Sequence, residues 1–343
     1  MMTSDYSAET TAAFGKIRRI AMVVLGVAFV HVLFGAIVRI SGSGMGCGDH
    51  WPKCYGSWIP PMDRPDLIIE VTHRYLATIV SLGVLALGIV AWRLRGVARV
   101  SGRNGPLRTA SGAIAAVLTT AILGGVTVKM GNTMVATVAH WCLAMALLAL
   151  LVMTIVRAAD RSEDARGVSA KTWRSAAVAA VLAALAVALG GVTAKYPGAP
   201  IACLSFPHCG ANPAVPAGAG HIQMTHRVIA ILLILHLFGI VMAIRKRRAI
   251  ESPAVVKAAQ IALAFALLQL LVAGAMIGMQ LPPVLRSVHQ AVGVAIWIST
   301  FAFAYMARVG SLPVESVEVF PEPRTSGPRK TIARPSLSTR ELQ

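Results

Sequence analysis

Two stretches of this sequence repeat one motif: IIEVTHRYLA at residues 68–77 and HIQMTHRVIA at residues 221–230 share five of ten residues. Each places Thr-His-Arg at the start of a long apolar run. Three residues before the histidine, the first copy has Glu70 and the second has Gln223. The repetition predicts a duplicated fold, and the change in charge predicts that the two copies differ in chemistry.

The apolar runs that follow these motifs belong to a set of eight. Of the 343 residues, 56% are hydrophobic and 13% are charged, whereas about 25% are charged in soluble proteins. A helix of about 20 apolar residues crosses a bilayer and satisfies its own backbone hydrogen bonds. We therefore predict an all-α integral membrane protein with eight transmembrane helices. The predicted spans are 18–40, 69–92, 108–130, 134–156, 172–194, 222–244, 255–280 and 284–307.

The basic residues are distributed unevenly between the loops. With the N-terminus in the cytoplasm, 24 of the 32 Lys and Arg residues fall on the cytoplasmic side and eight on the other. This bias predicts cytoplasmic termini in a cell membrane, and it explains the net charge of +18 without nucleic acid. Residues 1–15 are polar and the first apolar run is long, so no cleavable signal peptide is predicted. The Pro-, Ser- and Arg-rich segment 311–343 is predicted to be a disordered cytoplasmic tail.

One histidine lies near the start of each even-numbered span. The separations between the members of each pair, 67 and 63 residues, divide the chain into an N-terminal half, 1–160, and a C-terminal half, 161–310. Four spans in each half give both halves the same orientation, because inverted repeats require an odd number. We predict two pseudo-symmetric four-helix bundles. The four histidines are His73, His140, His226 and His289.

The odd-numbered spans carry small residues at corresponding places, as in LGGVTVK (123–129) and LGGVTAK (189–195). Adjacent glycines allow a neighbouring helix or a flat ligand to approach the backbone. Paired histidines inside a helical bundle can hold heme iron between them, although copper and zinc also accept imidazole. We favour heme because a single metal ion does not need these glycine-rich walls.

Six basic residues near the same ends are candidates to bind heme propionates by charge-assisted hydrogen bonds. The alternative for each is an interfacial side chain that extends its charge into water. His31 and His236 have no equivalents in the other half, so packing or support of another residue is the expected role. The six candidates are Arg39, Arg74, Lys129, Lys195, Arg227 and Arg286.

Glu70 lies three residues before His73 and therefore on the same helix face. Gln223 preserves its shape without the charge or the ability to take a proton. A carboxylate beside one heme can serve as a general base or stabilise positive charge. We therefore assign the chemistry to the N-terminal half and a permanent cofactor to the C-terminal half.

Two cysteine pairs precede the Thr-His-Arg motifs, Cys47 with Cys54 and Cys203 with Cys209. Facing an oxidising compartment, each pair is expected to form a disulfide. A redox-active pair or a metal site is the alternative, but each loop, even with His50 or His208, has too few ligands for a closed zinc site.

The motifs together resemble the heme A synthase family over roughly residues 17–308. The resemblance lies in the eight spans, the GAIVRISGSGMGC…WPKC loop, the E-x-T-H-R motif and the histidine of each even span. It implies oxidation of a peripheral methyl of heme O to a formyl group, which gives heme A for the terminal oxidase. Carried over, His73 and His140 flank the heme O substrate, His226 and His289 ligate the iron of heme b, and Glu70 is the catalytic carboxylate. The resemblance also implies the Cys47–Cys54 pair, and the second pair, Cys203–Cys209, matches the bacterial disulfide-bearing form.

The pathway implies a heme O synthase (protoheme farnesyltransferase) and cytochrome oxidase assembly factors as candidate partners. A second copy of the chain, forming a homo-oligomer, is a further candidate. The competing interpretations are a di-heme cytochrome b-type electron carrier, a transporter and a helical bundle without a cofactor. A carrier would place its hemes near opposite membrane faces, whereas the four histidines here lie at one end. The electron acceptor and the source of the formyl oxygen do not follow from the sequence.

Overall fold

The computed structural model describes residues 2–159, 167–206, 209 and 212–312. Within these residues it contains eight α-helices that are long and apolar enough to cross a membrane. The prediction of an all-α, multi-pass membrane protein is confirmed. The predicted tail, 311–343, lies outside the described residues beyond Leu312. The helices are α1 (Met2–Ile40), α2 (Pro65–Arg93), α3 (Pro106–Lys129), α4 (Met134–Arg157), α5 (Ala170–Lys195), α6 (Ala217–Arg245), α7 (Pro253–Gly278) and α8 (Pro283–Gly310).

Local sequence signals account for most helix starts. Proline occupies the first turn of α2, α3, α7 and α8, where its missing N–H costs nothing and its fixed φ suits a helix. Helix α5 starts after Ser169, whose hydroxyl oxygen accepts the N–H of Thr172 at 3.3 Å, as an N-cap does. Most predicted spans agree with the helices to within a few residues. The first span was predicted to start at residue 18, whereas the apolar helical stretch starts at Ala8. Ala13 and Ile17, which precede the predicted start, are buried on one face of α1.

Helices α1 to α4 pack in a ring in which α1 contacts α2 and α4, and α3 contacts α2 and α4. Helices α5 to α8 form a second ring with the same pattern of neighbours. The rings meet where α4 contacts α5 and α8, and where α1 contacts α8. One continuous apolar core runs through both rings. The arrangement fits two four-helix halves, although the division at residue 160 stays a prediction, since 160–166 lie outside the described residues.

Specific hydrogen bonds join the two rings. The indole N–H of Trp297 in α8 donates to the backbone oxygen of Met145 in α4 at 2.9 Å. The Arg39 guanidinium in α1 donates to the amide oxygen of Gln290 in α8 at 3.1 Å. Apolar side chains such as Leu235 and Leu271 are exposed on the outside of the rings, where lipid would satisfy them.

The end of the bundle that carries both cysteine pairs is called here the cysteine end. At the opposite end, a buried carboxylate ties the α6–α7 connection to α5. Glu251 accepts hydrogen bonds from the hydroxyls of Ser169 at 2.6 Å and Thr172 at 2.7 Å, and Arg247 lies 3.6 Å away. These contacts close the second ring opposite the cysteine end, and no sequence motif indicated them.

Candidate functional site

A cavity of about 1310 Å³ opens inside the bundle and is lined by residues from all eight described helices. Its wall includes His73, His140, His226 and His289, together with Glu70, Gln223 and His31. Pockets for one drug-sized ligand measure about 300–1000 Å³. The cavity is therefore large enough for more than one bulky ligand, and its imidazoles come from both rings.

Three glycines of the odd-numbered helices leave room for the imidazole rings of histidines on neighbouring helices. A methyl group added to Gly35, Gly124 or Gly190 would lie 3.1–3.2 Å from the Cε1 atom of a facing imidazole. Those imidazoles belong to His73, His140 and His226, respectively. The small residues thus admit a histidine of a neighbouring helix. The fourth position differs, because α7 has Ala273 at the corresponding place in the motif, where it lines the cavity.

Two of the histidines are also held by backbone carbonyls. Nδ1 of His140 lies 3.1 Å from the oxygen of Thr120, and Nδ1 of His226 lies 3.0 Å from the oxygen of Ala186. A carbonyl only accepts, so Nδ1 must carry the proton in both rings. Nε2 then keeps its lone pair, as a metal-ligating imidazole requires. Each carbonyl lies one helical turn before the glycine that faces the ring.

His226 and His289 are placed as two ligands of one metal would be. Their ring centres are 6.5 Å apart and their planes are inclined by 73°. Two metal–nitrogen bonds of about 2 Å, plus the distance from each nitrogen to its ring centre, sum to roughly 6–6.5 Å. The amide nitrogen of Gln269 lies 3.4 Å from Nε2 of His289 and donates to its backbone oxygen at 2.9 Å. The distance between the ring centres is compatible with two ligands of one metal ion.

His73 has a different environment from the other three. Its ring stacks on that of His31, with centres 4.4 Å apart and planes 25° from parallel. Among the described residues, Nδ1 of His73 and Nε2 of His31 are buried without a hydrogen-bond partner. His31 therefore lies in the cavity wall beside a predicted ligand. His236 is outside that wall, and its Nε2 lies 3.0 Å from the oxygen of Ser175.

Glu70 and Gln223 occupy equivalent structural positions. Glu70 is buried, and its Oε2 accepts the backbone N–H of Cys47 at 2.9 Å. Gln223 is also buried, and its Oε1 accepts the backbone N–H of Cys203 at 2.7 Å. Either side chain can thus fasten a cysteine loop to the helix that carries the histidine. The anchor does not need a charge, so it does not explain why one copy is a carboxylate.

The arginines that follow the histidines also contact these loops. Arg74 donates to Oε1 of Glu70 at 2.5 Å and to the backbone oxygen of Pro52 at 2.9 Å. Arg227 donates to the backbone oxygens of Cys203 at 2.7 Å and Ser205 at 2.8 Å. Both guanidinium groups line the cavity. Their position between loop and cavity fits an ordering role as well as the predicted propionate contact.

The other four predicted cations divide into two groups. Arg39, Arg286 and Lys195 line the cavity, and Arg39 is close enough to repel both of the others. Within the described part of the chain, none of the three pairs with a carboxylate. An anionic ligand would relieve their repulsion. Lys129 is not in the cavity wall, and its Nζ lies 3.6 Å from the carboxylate of the exposed Asp49.

Both predicted disulfides are formed. The Cα atoms of Cys47 and Cys54 are 5.0 Å apart, and those of Cys203 and Cys209 are 4.5 Å apart. No cluster of three or more His, Cys, Asp or Glu side chains suited to a metal ion occurs in the described ranges, which omit His208. The first loop also covers the cavity, since the indole of Trp51 packs on Gly125 of α3.

Eight helices that are long and apolar enough to cross a membrane surround a cavity lined by imidazoles of both rings, and these features define a multi-pass membrane protein with a histidine-lined interior. The model of the COX15-CtaA family, described as cytochrome oxidase assembly protein, matches residues 18–68 and 64–301. The chain belongs to this family.

Individual relatives carry a more specific description. The chain is 29% identical to the heme A synthase of Geobacillus thermodenitrificans over 214 residues, which cover 61% of this chain and 66% of that protein. It is 29% identical to the heme A synthase of Bacillus licheniformis over 217 residues, 62% of this chain and 70% of the relative. For the heme A synthase of Lysinibacillus sphaericus, the identity is 30% over 210 residues, 59% and 66% of the two chains. The chain thus spans roughly two thirds of the length of these relatives.

Proposed function

We propose that this chain is a heme A synthase, an oxidoreductase that converts a peripheral methyl group of heme O into the formyl group of heme A. The paired imidazoles in the shared cavity support this proposal most directly. They fit iron porphyrins, and the crowded cations Arg39, Arg286 and Lys195 fit the propionates. The family match and the described relatives agree with it.

In this proposal the C-terminal half holds a heme b cofactor. His226 and His289 would hold its iron through their imidazole nitrogens, and the Ala186 carbonyl fixes the tautomer of His226. When bound, heme b supplies a redox-active iron beside the substrate. The residues of this half bind the cofactor and take no part in the reaction, and the neutral Gln223 anchors the adjoining loop.

The N-terminal half binds heme O as substrate between His73 and His140. Glu70 lies in the cavity wall one turn before His73 and is the residue that makes this half reactive. Its carboxylate accepts a proton from the reacting methyl carbon or stabilises positive charge that develops there. Arg74 and the N–H of Cys47 hold both carboxylate oxygens, so the group is fixed before the substrate arrives.

The chemistry requires two successive hydroxylations of the methyl group, followed by loss of water. Two histidine ligands close an iron to oxygen. Either one of His73 and His140 leaves the iron, and molecular oxygen is the oxidant and the source of the oxygen atom, or the methyl loses its electrons to an external acceptor, Glu70 takes a proton and water supplies the oxygen atom. Growth with isotopically labelled oxygen gas or labelled water, followed by mass measurement of the formyl oxygen, distinguishes these routes.

The proposed topology places both termini in the cytoplasm and the cysteine end outside the cell membrane. The distribution of Lys and Arg supports this orientation, and so do the two disulfides, since they persist in oxidising compartments. The pathway gives a heme O synthase and cytochrome oxidase assembly factors as partners. A second copy of the chain is a further candidate.

Expression in cells that make heme O but not heme A tests the function. We expect heme A in an acid-acetone extract, identified by its mass, and none from cells that carry an empty vector. The di-heme carrier predicts instead a purified protein with two permanent hemes b and no formyl product. A colourless purified protein would contradict both functions.

A further inference from the structure

Three of the four histidines, His73, His140 and His226, share one register relative to the glycines of the odd-numbered helices, and His31 has a defined place in it. The residue one turn before the facing glycine is Thr120 for His140 and Ala186 for His226. In both cases its backbone oxygen binds Nδ1 of the histidine. For His73 the facing glycine is Gly35, and the residue one turn before it is His31.

At this position the anchor is a side chain instead of a carbonyl. The His31 ring stacks on the His73 ring, and Nδ1 of His73 has no hydrogen-bond partner among the described residues. His73 is thus held between the backbone at Gly35 and the imidazole of His31, both on α1. A stacking contact restrains the ring plane without fixing a tautomer by a hydrogen bond.

This difference affects ligand strength. A hydrogen bond from the second ring nitrogen of a ligating histidine to a carbonyl orients the ring and makes it more basic. His140 has this support and His73 does not. The two imidazoles of the N-terminal half are therefore unequal, and His73 depends on its stacking partner for its position.

We infer that His31 is a positioning residue of the substrate site, which holds His73 toward the iron of heme O by ring stacking. The inference rests on the proposed function, because it assumes that His73 and His140 face a heme. It adds a second difference between the halves, since the position that corresponds to His31 in the C-terminal half is Ala186. His289 also lacks a partner at Nδ1, but its ring meets His226 edge-on and is not stacked.

The test measures heme affinity directly and does not use turnover. The full-length His226→Ala variant serves as the parent, so that the N-terminal site is the one that retains both of its histidines. Hemin is titrated into the purified, heme-free parent and followed by Soret absorbance, and the spin state of the iron is read by electron paramagnetic resonance. Removing such a supporting group typically weakens metal binding about 10- to 100-fold.

We expect His31→Ala to weaken hemin binding by about 10- to 100-fold and to convert part of the low-spin signal to high spin. His31→Phe keeps an aromatic ring without nitrogens and should restore both properties. His236→Ala, which removes the other unmatched buried histidine from outside the cavity wall, should behave as the parent.

Two results would overturn the inference while leaving the proposed function intact. One is a His31→Ala variant that binds hemin as the parent does with an unchanged spectrum. The other is a His31→Phe variant as weak as His31→Ala, which would show that stacking is not the relevant contact. A parent that binds no hemin would instead overturn the proposed heme sites themselves, and this inference with them.

Discussion

The Glu70 carboxylate binds the backbone N–H of Cys47 at 2.9 Å and thereby fastens the first cysteine loop to α2. Gln223 makes the corresponding contact with Cys203 at 2.7 Å. Because a neutral amide performs the same anchoring, the two tasks of Glu70, holding the loop and carrying a charge, can be separated by mutation.

Glu70→Gln should keep the loop in place and remove the reactive charge. The amide oxygen can still accept from Cys47, as Gln223 does from Cys203. The buried ion pair with Arg74 is lost, so the melting temperature in detergent should fall although the loop contact remains. Loss of a positioned general base typically lowers the rate about 10²- to 10⁴-fold. Heme A formation from heme O, measured by mass spectrometry of extracted hemes, should fall by that factor while heme content is retained.

The matched control for this variant is Gln223→Glu, which introduces a carboxylate at the equivalent place in the other half. It should leave heme A formation within a few-fold of the wild type, since the proposed chemistry does not occur there. An active Glu70→Gln protein would show that Glu70 is only a loop anchor.

Gly190→Ala should impair the C-terminal heme site. The new methyl group would lie 3.2 Å from Cε1 of His226, so the ring would have to shift by a few tenths of an ångström. Overpacking of this kind costs about 1–3 kcal/mol, and we expect the purified protein to retain less heme b. Gly239→Ala on α6 is the control, because its methyl would meet nothing within 4 Å. Equal heme-to-protein ratios in the two variants would contradict this account of the glycine rows.

Arg286→Gln should weaken heme retention and also relieve repulsion in the heme-free protein. Arg286 and Arg39 repel each other across the cavity wall, and a charge-assisted hydrogen bond is worth about 1.5–3 kcal/mol. We therefore expect roughly 10- to 100-fold weaker hemin binding and an unchanged or higher melting temperature without heme. Lys129→Gln, at a position outside the wall, should alter neither property. If both substitutions weaken hemin binding equally, the cavity cations have no special role.

Replacing Cys47 and Cys54 together with serine should reduce heme A formation more than replacing Cys203 and Cys209. A disulfide typically contributes about 2–4 kcal/mol, and each pair fixes its own loop. The first loop is bound to the proposed catalytic carboxylate, whereas the second is bound to Gln223. Heme A yield per folded protein measures the effect, and a larger loss from the second pair would argue against reaction in the N-terminal half.

The sequence was sufficient to predict the membrane class, the number of spans and which histidines share an interior. These features depend on apolar length and on a repeated register, both of which are visible along the chain. Both cysteine pairs were also predictable, because each lies within one short loop. The glycine-rich ends indicated a close approach, although the structure shows that a histidine of a neighbouring helix makes it.

The contacts that distinguish the halves were less accessible to sequence reasoning. The stacking of His31 on His73 depends on the relative rotation of α1 and α2, which the sequence of neither helix determines by itself. Lys129 looked equivalent to Lys195 in the motif, yet one faces Asp49 and the other lines the cavity. Both lie five residues after the glycine that faces a histidine, so helical register does not distinguish them. The first loop places Asp49 beside Lys129, and the repeated helix sequence does not contain that contact.

The cavity lined by all eight described helices has a consequence for how the molecule could be divided. A cut in the connection between α4 and α5 would give two fragments, each with an open flank where α1, α4, α5 or α8 had met the other ring. Neither fragment would enclose the cavity on its own. The duplicated halves are therefore mutually dependent, and recovery of a pigmented protein would require both fragments to be made together in the same membrane.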